Sequence, residues 1–157
     1  MGLCRCVILS LLSFALWATP SEAQRPLTVQ GIRSLTFGVL LAGVNKTVLR
    51  TDVVNGGQLD ISGPGRASVL LTFTLPASMT GPAGATLPLS FGSNDGGWSP
   101  PQQIGTQTAF DPRVPYTAPL DQNGKVSVYL GGTAKPTANQ KAGSYSGTIT
   151  LTVVVLP

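Results

Sequence analysis

Five carboxylates, Asp52, Asp60, Asp95, Asp111 and Asp121, are the acids that remain once the N-terminal stretch is set aside. Cleaving a glycosidic bond takes two such groups about 5–10 Å apart, one as acid and one as base or nucleophile. These five are scattered among turn-forming residues and strand ends, and no spacing pairs them. The chain has no His, so the commonest general base and metal ligand is missing. Its serines and threonines lack a histidine base, and no Ser-x-x-Lys run offers a lysine instead. Asn94-Asp95 suggests calcium only superficially. A calcium loop takes about six or more oxygens, several of them carboxylate, and this stretch supplies one. Asn45-Lys46-Thr47 matches a glycosylation acceptor by pattern and reads as a turn entering a strand. The expectation is a protein that is not an enzyme, with no metal and no cofactor.

Three aromatic residues carry the remaining options. Trp98 follows Asn94-Asp95-Gly96-Gly97. On a glycine-rich loop, with Tyr116 on another, it could stack on a sugar or anchor a partner. The competing reading packs it as a tether over the end of the fold. Tyr145 precedes the last strand in phase with Ile149 and Leu151. It reads as a tyrosine corner, whose hydroxyl bonds the backbone and pins a crossover.

The elements that must position these residues are strands. Only 10% of the 157 residues are charged and 42% are apolar, which excludes a disordered chain and fits one domain with a real core. Residues 1–23 read as a secretory leader: Arg5, an apolar run from Val7 to Ala18, then Ser21-Glu22-Ala23 as the cleavage box. That run is too short to span a bilayer as a helix. The domain is then 24–157, free of Cys, His and Glu, because Cys4, Cys6 and Glu22 leave with the leader. Without disulfides its stability rests on packing and backbone hydrogen bonds. The formal net charge of +4 is dispersed, with no adjacent basic residues, so no phosphate-neutralising face for nucleic acid is expected.

Alternating runs separated by Gly, Pro, Asn and Asp clusters predict strands at Leu27–Ile32, Ser34–Phe37, Lys46–Thr51, Gln58–Ser62, Ser68–Leu75, Thr86–Phe91, Lys125–Leu130 and Ser146–Val155. Val69, Leu71, Phe73 and Leu75 share one face, as do Val126, Val128 and Leu130, and as do Ile149, Leu151, Val153 and Val155. Such faces pack as an antiparallel β-sandwich. The proline-rich Ser99–Pro119 is expected to be a surface crossing with one short strand near Gln107–Phe110. The last strand is apolar on both faces at Val153-Val154-Val155-Leu156. It is either central in its sheet or has its open side filled by something else.

Tyr129-Leu130-Gly131-Gly132-Thr133 and the run Ala138 to Val153 resemble the closing motif of bacterial pilin-like domains. The resemblance is to the domain-of-unknown-function 4402 family and to the related spore coat protein U and fimbrial subunits. Leu35-Thr36-Phe37-Gly38 resembles their opening strand, and Leu71 to Pro76 and Ala85 to Phe91 their middle strands. The resemblance implies an immunoglobulin-like, pilin-like sandwich, either complete in itself or lacking a strand, exported to the periplasm or cell surface. It implies completion by β-strand addition, from a second copy, a related subunit or a periplasmic chaperone. The donor candidates are Leu27, Val29 and Ile32, and the acceptor-groove candidates Leu151, Val153 and Val155. The segment ahead of Leu35 is either the donor or the domain's own first strand. The expected function is a structural subunit of a fimbria, coat or surface layer. The alternative is a self-contained secreted module binding carbohydrate or matrix through Trp98 and Tyr116.

Overall fold

The computed structural model describes residues 25–157; the expected leader, with Cys4, Cys6 and Glu22, lies outside them. Period-two patterning resolves into twelve strands: β1 (Thr28–Arg33), β2 (Lys46–Val48), β3 (Gly57–Ser62), β4 (Ser68–Thr74), β5 (Ser78–Thr80), β6 (Thr86–Ser90), β7 (Gly96–Ser99), β8 (Thr108–Phe110), β9 (Tyr116–Pro119), β10 (Lys125–Leu130), β11 (Gly132–Ala134) and β12 (Thr150–Val155). They form three antiparallel sheets, ordered β1-β3-β10-β7-β8, β2-β11-β6-β5 and β12-β4-β9. Among the described residues no helix is long and apolar enough to cross a membrane.

Register sets the core. Val126 pairs with Ile61 and Val128 with Leu59, so these side chains share the inner face of the five-stranded sheet. Opposite them, Val69 pairs with Ala118 and Leu71 with Tyr116. Ile61, Val126 and Val128 pack on Val69, Leu71 and Ala118 with essentially no exposure, worth about 1.5–3 kcal/mol for each large side chain. A second cluster of Phe37, Val48, Leu87 and Ala134 lies under the four-stranded sheet. Gly131 alone separates β10 from β11, where the chain passes from one sheet to the next. A Cβ there would stand 2.5 Å from the Val48 carbonyl oxygen and 2.6 Å from the Arg50 nitrogen, so only glycine fits the crossing.

Several expectations are corrected. Ser34–Phe37 lies in no ladder; its backbone is tied by Thr36 N donating to the Asn55 carbonyl at 2.9 Å. The last strand starts at Thr150, with only a bridge between Thr80 and Ser146 ahead of it. Ser99–Pro119 contains more strand than expected. β8 falls in the anticipated place, but β7 ends at Ser99 in the sheet interior and β9 is an edge ending on Pro119. Proline terminates strands here rather than excluding them. Ser127 and Tyr129 do face away from the core with their parity, yet both are fully buried. Gln102 N donates to Ser127 Oγ at 3.1 Å, which lays the segment after β7 over that face.

Candidate functional site

The two sides of the sandwich differ. Where β8 and β9 meet, three aromatic residues fill the gap: Phe110 stacks on Tyr116 with centroids 4.5 Å apart, and Trp98 Nε1 donates to Tyr116 Oη at 2.9 Å. Trp98 pairs with Val128 and Tyr116 with Leu71. Both are strand residues facing inward and half-buried, not loop residues as the sequence suggested.

The opposite side is open. β1 pairs only with β3, and β12 only with β4, so each leaves one ladder edge without a partner among the described residues. Val29 pairs with the fully buried Ile61 and points inward with it, yet remains 42% exposed. Across the gap, Leu151, Val153 and Val155 align with Phe73, Leu71 and Val69 and are only half-buried. Val29 on β1, and Leu151, Val153 and Val155 on β12, which pack on the edge of the main core, thus stand beside two backbone edges unpaired among the described residues.

The opening continues as a groove between the chain leaving β1 and the chain approaching β12. A cavity of about 780 Å³ lies between residues 34–42 and 140–147, with Leu35, Phe37, Leu40, Met79 and Leu87 in its lining. A second, of about 440 Å³, lies between residues 31–35 and 147–149, over Leu59 and Leu130. Ser34, Leu35 and Gly147 line both, which makes the groove continuous. Its lining includes two charged residues, Arg33 and Lys141, and no carboxylate. Arg33 is turned aside, its Nε donating to the Gly56 carbonyl at 2.6 Å.

Tyr145 belongs to the groove wall. Its hydroxyl donates to the Lys141 carbonyl and accepts from Gln140 Nε2, each at 2.7 Å. Gln140 Nε2 also donates to the Thr86 carbonyl at 3.1 Å, so the pair ties the segment before β12 to β6.

The donor candidates fall as follows. Leu27 precedes β1 and packs on the main core. Val29 and Ile32 are exposed on β1, with Ile32 at the register shift between Gly31 and Arg33. Within one chain, this segment is the first strand of its own sheet. The acceptor candidates Leu151, Val153 and Val155 share the inward face of β12, where they pack against the main core, and none of them lines either cavity. Sequence reasoning missed the longer wall at residues 34–42 and 140–147. The alternation of Leu35 and Phe37 hints at it, and Gly31 stands out as a break in the alternation of its segment, whereas nothing in the sequence marks Met79.

Four of the five aspartates are occupied locally, and Asp60 is occupied across strands. Asp52 accepts from the Val54 and Asn55 nitrogens and from Asn55 Nδ2, and these bonds, Asn55's first, hold its carboxyl below the usual range. Asp95 accepts from Gly92 N, Asp121 from the Asn123 and Lys125 nitrogens, and Asp60 from Ser127 Oγ and Gln58 Nε2. Asp111 accepts twice from the Arg113 guanidinium and once from its backbone nitrogen, which lowers its pKa to about 2. Among the described residues no three His, Cys, Asp or Glu gather as metal ligands.

A family model described as a domain of unknown function, DUF4402, matches residues 12–154, and the chain belongs to that family. No curated protein matches it.

Proposed function

We propose that this DUF4402 protein is a non-enzymatic, exported structural subunit of a fimbria, coat or surface layer, assembling by β-strand addition. A strand of a neighbouring subunit enters the groove between β1 and β12. One observation carries the reading: Val29 on β1 is 42% exposed and Leu151, Val153 and Val155 on β12 are only half-buried, beside strand edges unpaired among the described residues, while the far side is filled by aromatics. The likeness of the Tyr129–Thr133 and Ala138–Val153 runs to fimbrial subunits points the same way. Export is supported by the apolar run Val7–Ala18 and the small residues before Gln24. The lack of His, and aspartates that accept hydrogen bonds in turns (Asp121) or across strands (Asp60), support a non-catalytic role.

The energetics favour an already ordered donor. Covering three or four aliphatic side chains is worth roughly 5–12 kcal/mol, and each ladder bond adds about 0.5–1.5 kcal/mol. A disordered donor gives back about 1–2 kcal/mol per residue on ordering. A strand already held in a neighbour's sheet avoids most of that cost.

The test is light scattering on the full-length chain and on Val153→Lys, with thermal melts to confirm folding. The proposal expects concentration-dependent oligomers from the wild type and a folded monomer from the variant. A wild-type chain that stays monomeric at every concentration rejects it.

A further inference from the structure

The four-stranded sheet and the segments packed with it carry one sign of charge. Residues 34–48, 76–90 and 132–149 supply its strands β2, β5, β6 and β11 and the second core cluster. They hold three lysines, Lys46, Lys135 and Lys141, all exposed, and no carboxylate. Lys46 on β2 pairs with Ala134 on β11, and Lys135 follows that residue. Lys141 lines the larger cavity together with Val39, Leu40 and Ala42. The carboxylate nearest in sequence, Asp52, lies past the far end of β2 and accepts from the Val54 and Asn55 nitrogens.

The same region displays an apolar loop. Between Phe37 and Lys46 the chain reads Gly-Val-Leu-Leu-Ala-Gly-Val-Asn, without a charge. Leu40 turns in and packs on the second cluster. Its neighbours turn out: Val39 is 88% exposed, Leu41 68% and Val44 53%. The backbone that displays them is pinned. Val44 N donates to the Leu41 carbonyl at 3.1 Å and Gly43 N to the Thr137 carbonyl at 3.0 Å. Lys46 Nζ donates to the Val39 carbonyl at 3.4 Å, which sets a cation beside the most exposed aliphatic residue. Exposed apolar patches rimmed by polar residues mark contact with a protein or a membrane. Composition separates the two. Protein interfaces draw their anchors from Trp, Tyr and Arg and are poor in Lys. Residues 38–45 hold none of those anchors, and the cations around them are all lysines.

We propose that Val39, Leu41 and Val44 enter the acyl layer of a lipid surface with anionic headgroups, where Lys46, Lys135 and Lys141 meet the headgroup charge. Each lysine near such a surface strengthens attachment about fivefold. A loop of this kind serves a single copy as well as an assembled one, so it stands apart from strand addition.

Co-sedimentation of full-length chains with phosphatidylcholine vesicles, with and without phosphatidylglycerol, tests this. The leader is common to every variant, so differences between variants read the loop. The wild type should bind the anionic vesicles more tightly, and salt should weaken that binding. A Val39→Ser, Leu41→Ser double variant should melt as the wild type does and bind both kinds of vesicle about tenfold or more weakly. A Lys135→Gln, Lys141→Gln double variant should lose about tenfold or more on the anionic vesicles alone. Leu41→Trp in a Trp17→Phe background should shift its emission to the blue on binding and be quenched by brominated acyl chains. Serine variants that bind as the wild type does, lysine variants that keep the full preference for anionic vesicles, or an introduced indole that stays unquenched would each overturn the proposal. If the serine variant binds vesicles normally but loses self-association in light scattering, a second copy covers the loop and the lipid surface is rejected.

Discussion

The indole nitrogen of Trp98 on β7 donates a 2.9 Å hydrogen bond to the hydroxyl oxygen of Tyr116 on β9. These strands belong to different sheets, so the bond latches the five-stranded sheet to the three-stranded one. Phe110 stacks on Tyr116, and Phe73 lies 6.3 Å from Phe110 between ring centroids, completing a row of rings along that side. The β1/β12 side has no such row. There the inward-facing residues are the aliphatic Val29, Leu151, Val153 and Val155. Long aromatics on one side and short aliphatics on the other make the two sides of the sandwich unlike.

The latch should be measurable as coupling. Trp98→Phe and Tyr116→Phe each remove one polar partner and keep a ring, so each should cost about 0.5–1.5 kcal/mol in urea unfolding. The double variant should cost little more than either single one, because the bond is lost only once. Fully additive losses would show that the hydrogen bond does not contribute to stability.

How far the sequence foretold this structure depends on how local each constraint is. The strands at Ser68–Thr74 and Lys125–Leu130 follow from alternation and turn residues within a few positions. β5, β7, β9 and β11 span only three or four residues each, shorter than a readable period. Ser127 and Tyr129 alternate as outward residues, and only the chain folding back after Pro100 buries them. Leu151, Val153 and Val155 were legible as one face of a strand because they sit two apart. The wall from Leu35 to Ala42 is irregular backbone, and its partner, residues 140–147, is distant in sequence. No periodicity joins the two.

Ser127 carries a prediction of its own. Its hydroxyl donates to Asp60 Oδ1 at 2.7 Å and accepts from Gln102 N at 3.1 Å, with no exposure to solvent. Ser127→Ala should cost about 1–3 kcal/mol. It should also loosen the segment that covers Tyr129, exposing that phenol to nitration by tetranitromethane in the folded protein. An unmodified Tyr129 in a variant of lowered stability would show that the segment is held by packing alone.

Asp111 predicts the acid limb of stability. Its pKa falls from an ordinary 3.8 to about 2 through hydrogen bonds from Arg113. A carboxyl depressed by folding contributes stability that is complete above its unfolded value and is lost as pH falls through its folded value. That contribution should therefore disappear between pH about 4 and 2. Both groups lie near solvent, with the Arg113 side chain 55% exposed, so salt should weaken the effect. Denaturation midpoints of the wild type and Asp111→Asn across this range should converge at the acid end. A gap that stays constant with pH would assign the difference to the turn itself rather than to the charge.

Tyr145 and Gly81 test how firmly the groove wall is built. The ring lies directly on Gly81, where a Cβ would stand 2.6 Å from Cδ1 and 2.7 Å from Cζ, well inside van der Waals contact. Gly81→Ala should push the ring away and cost about 1–3 kcal/mol as an overpacking change. Tyr145→Phe keeps the ring but loses the bonds to Lys141 and Gln140, for a similar loss of about 1–3 kcal/mol. The two changes should separate in hydrogen exchange. Gly81→Ala strains the backbone around the Thr80–Ser146 bridge and should speed exchange of the Thr80 and Ser146 amides. Tyr145→Phe frees the loop at residues 140–144 and should leave that bridge protected. Equal exchange in both variants would mean that ring and hydroxyl act through one structural unit, and that the wall opens as a single piece.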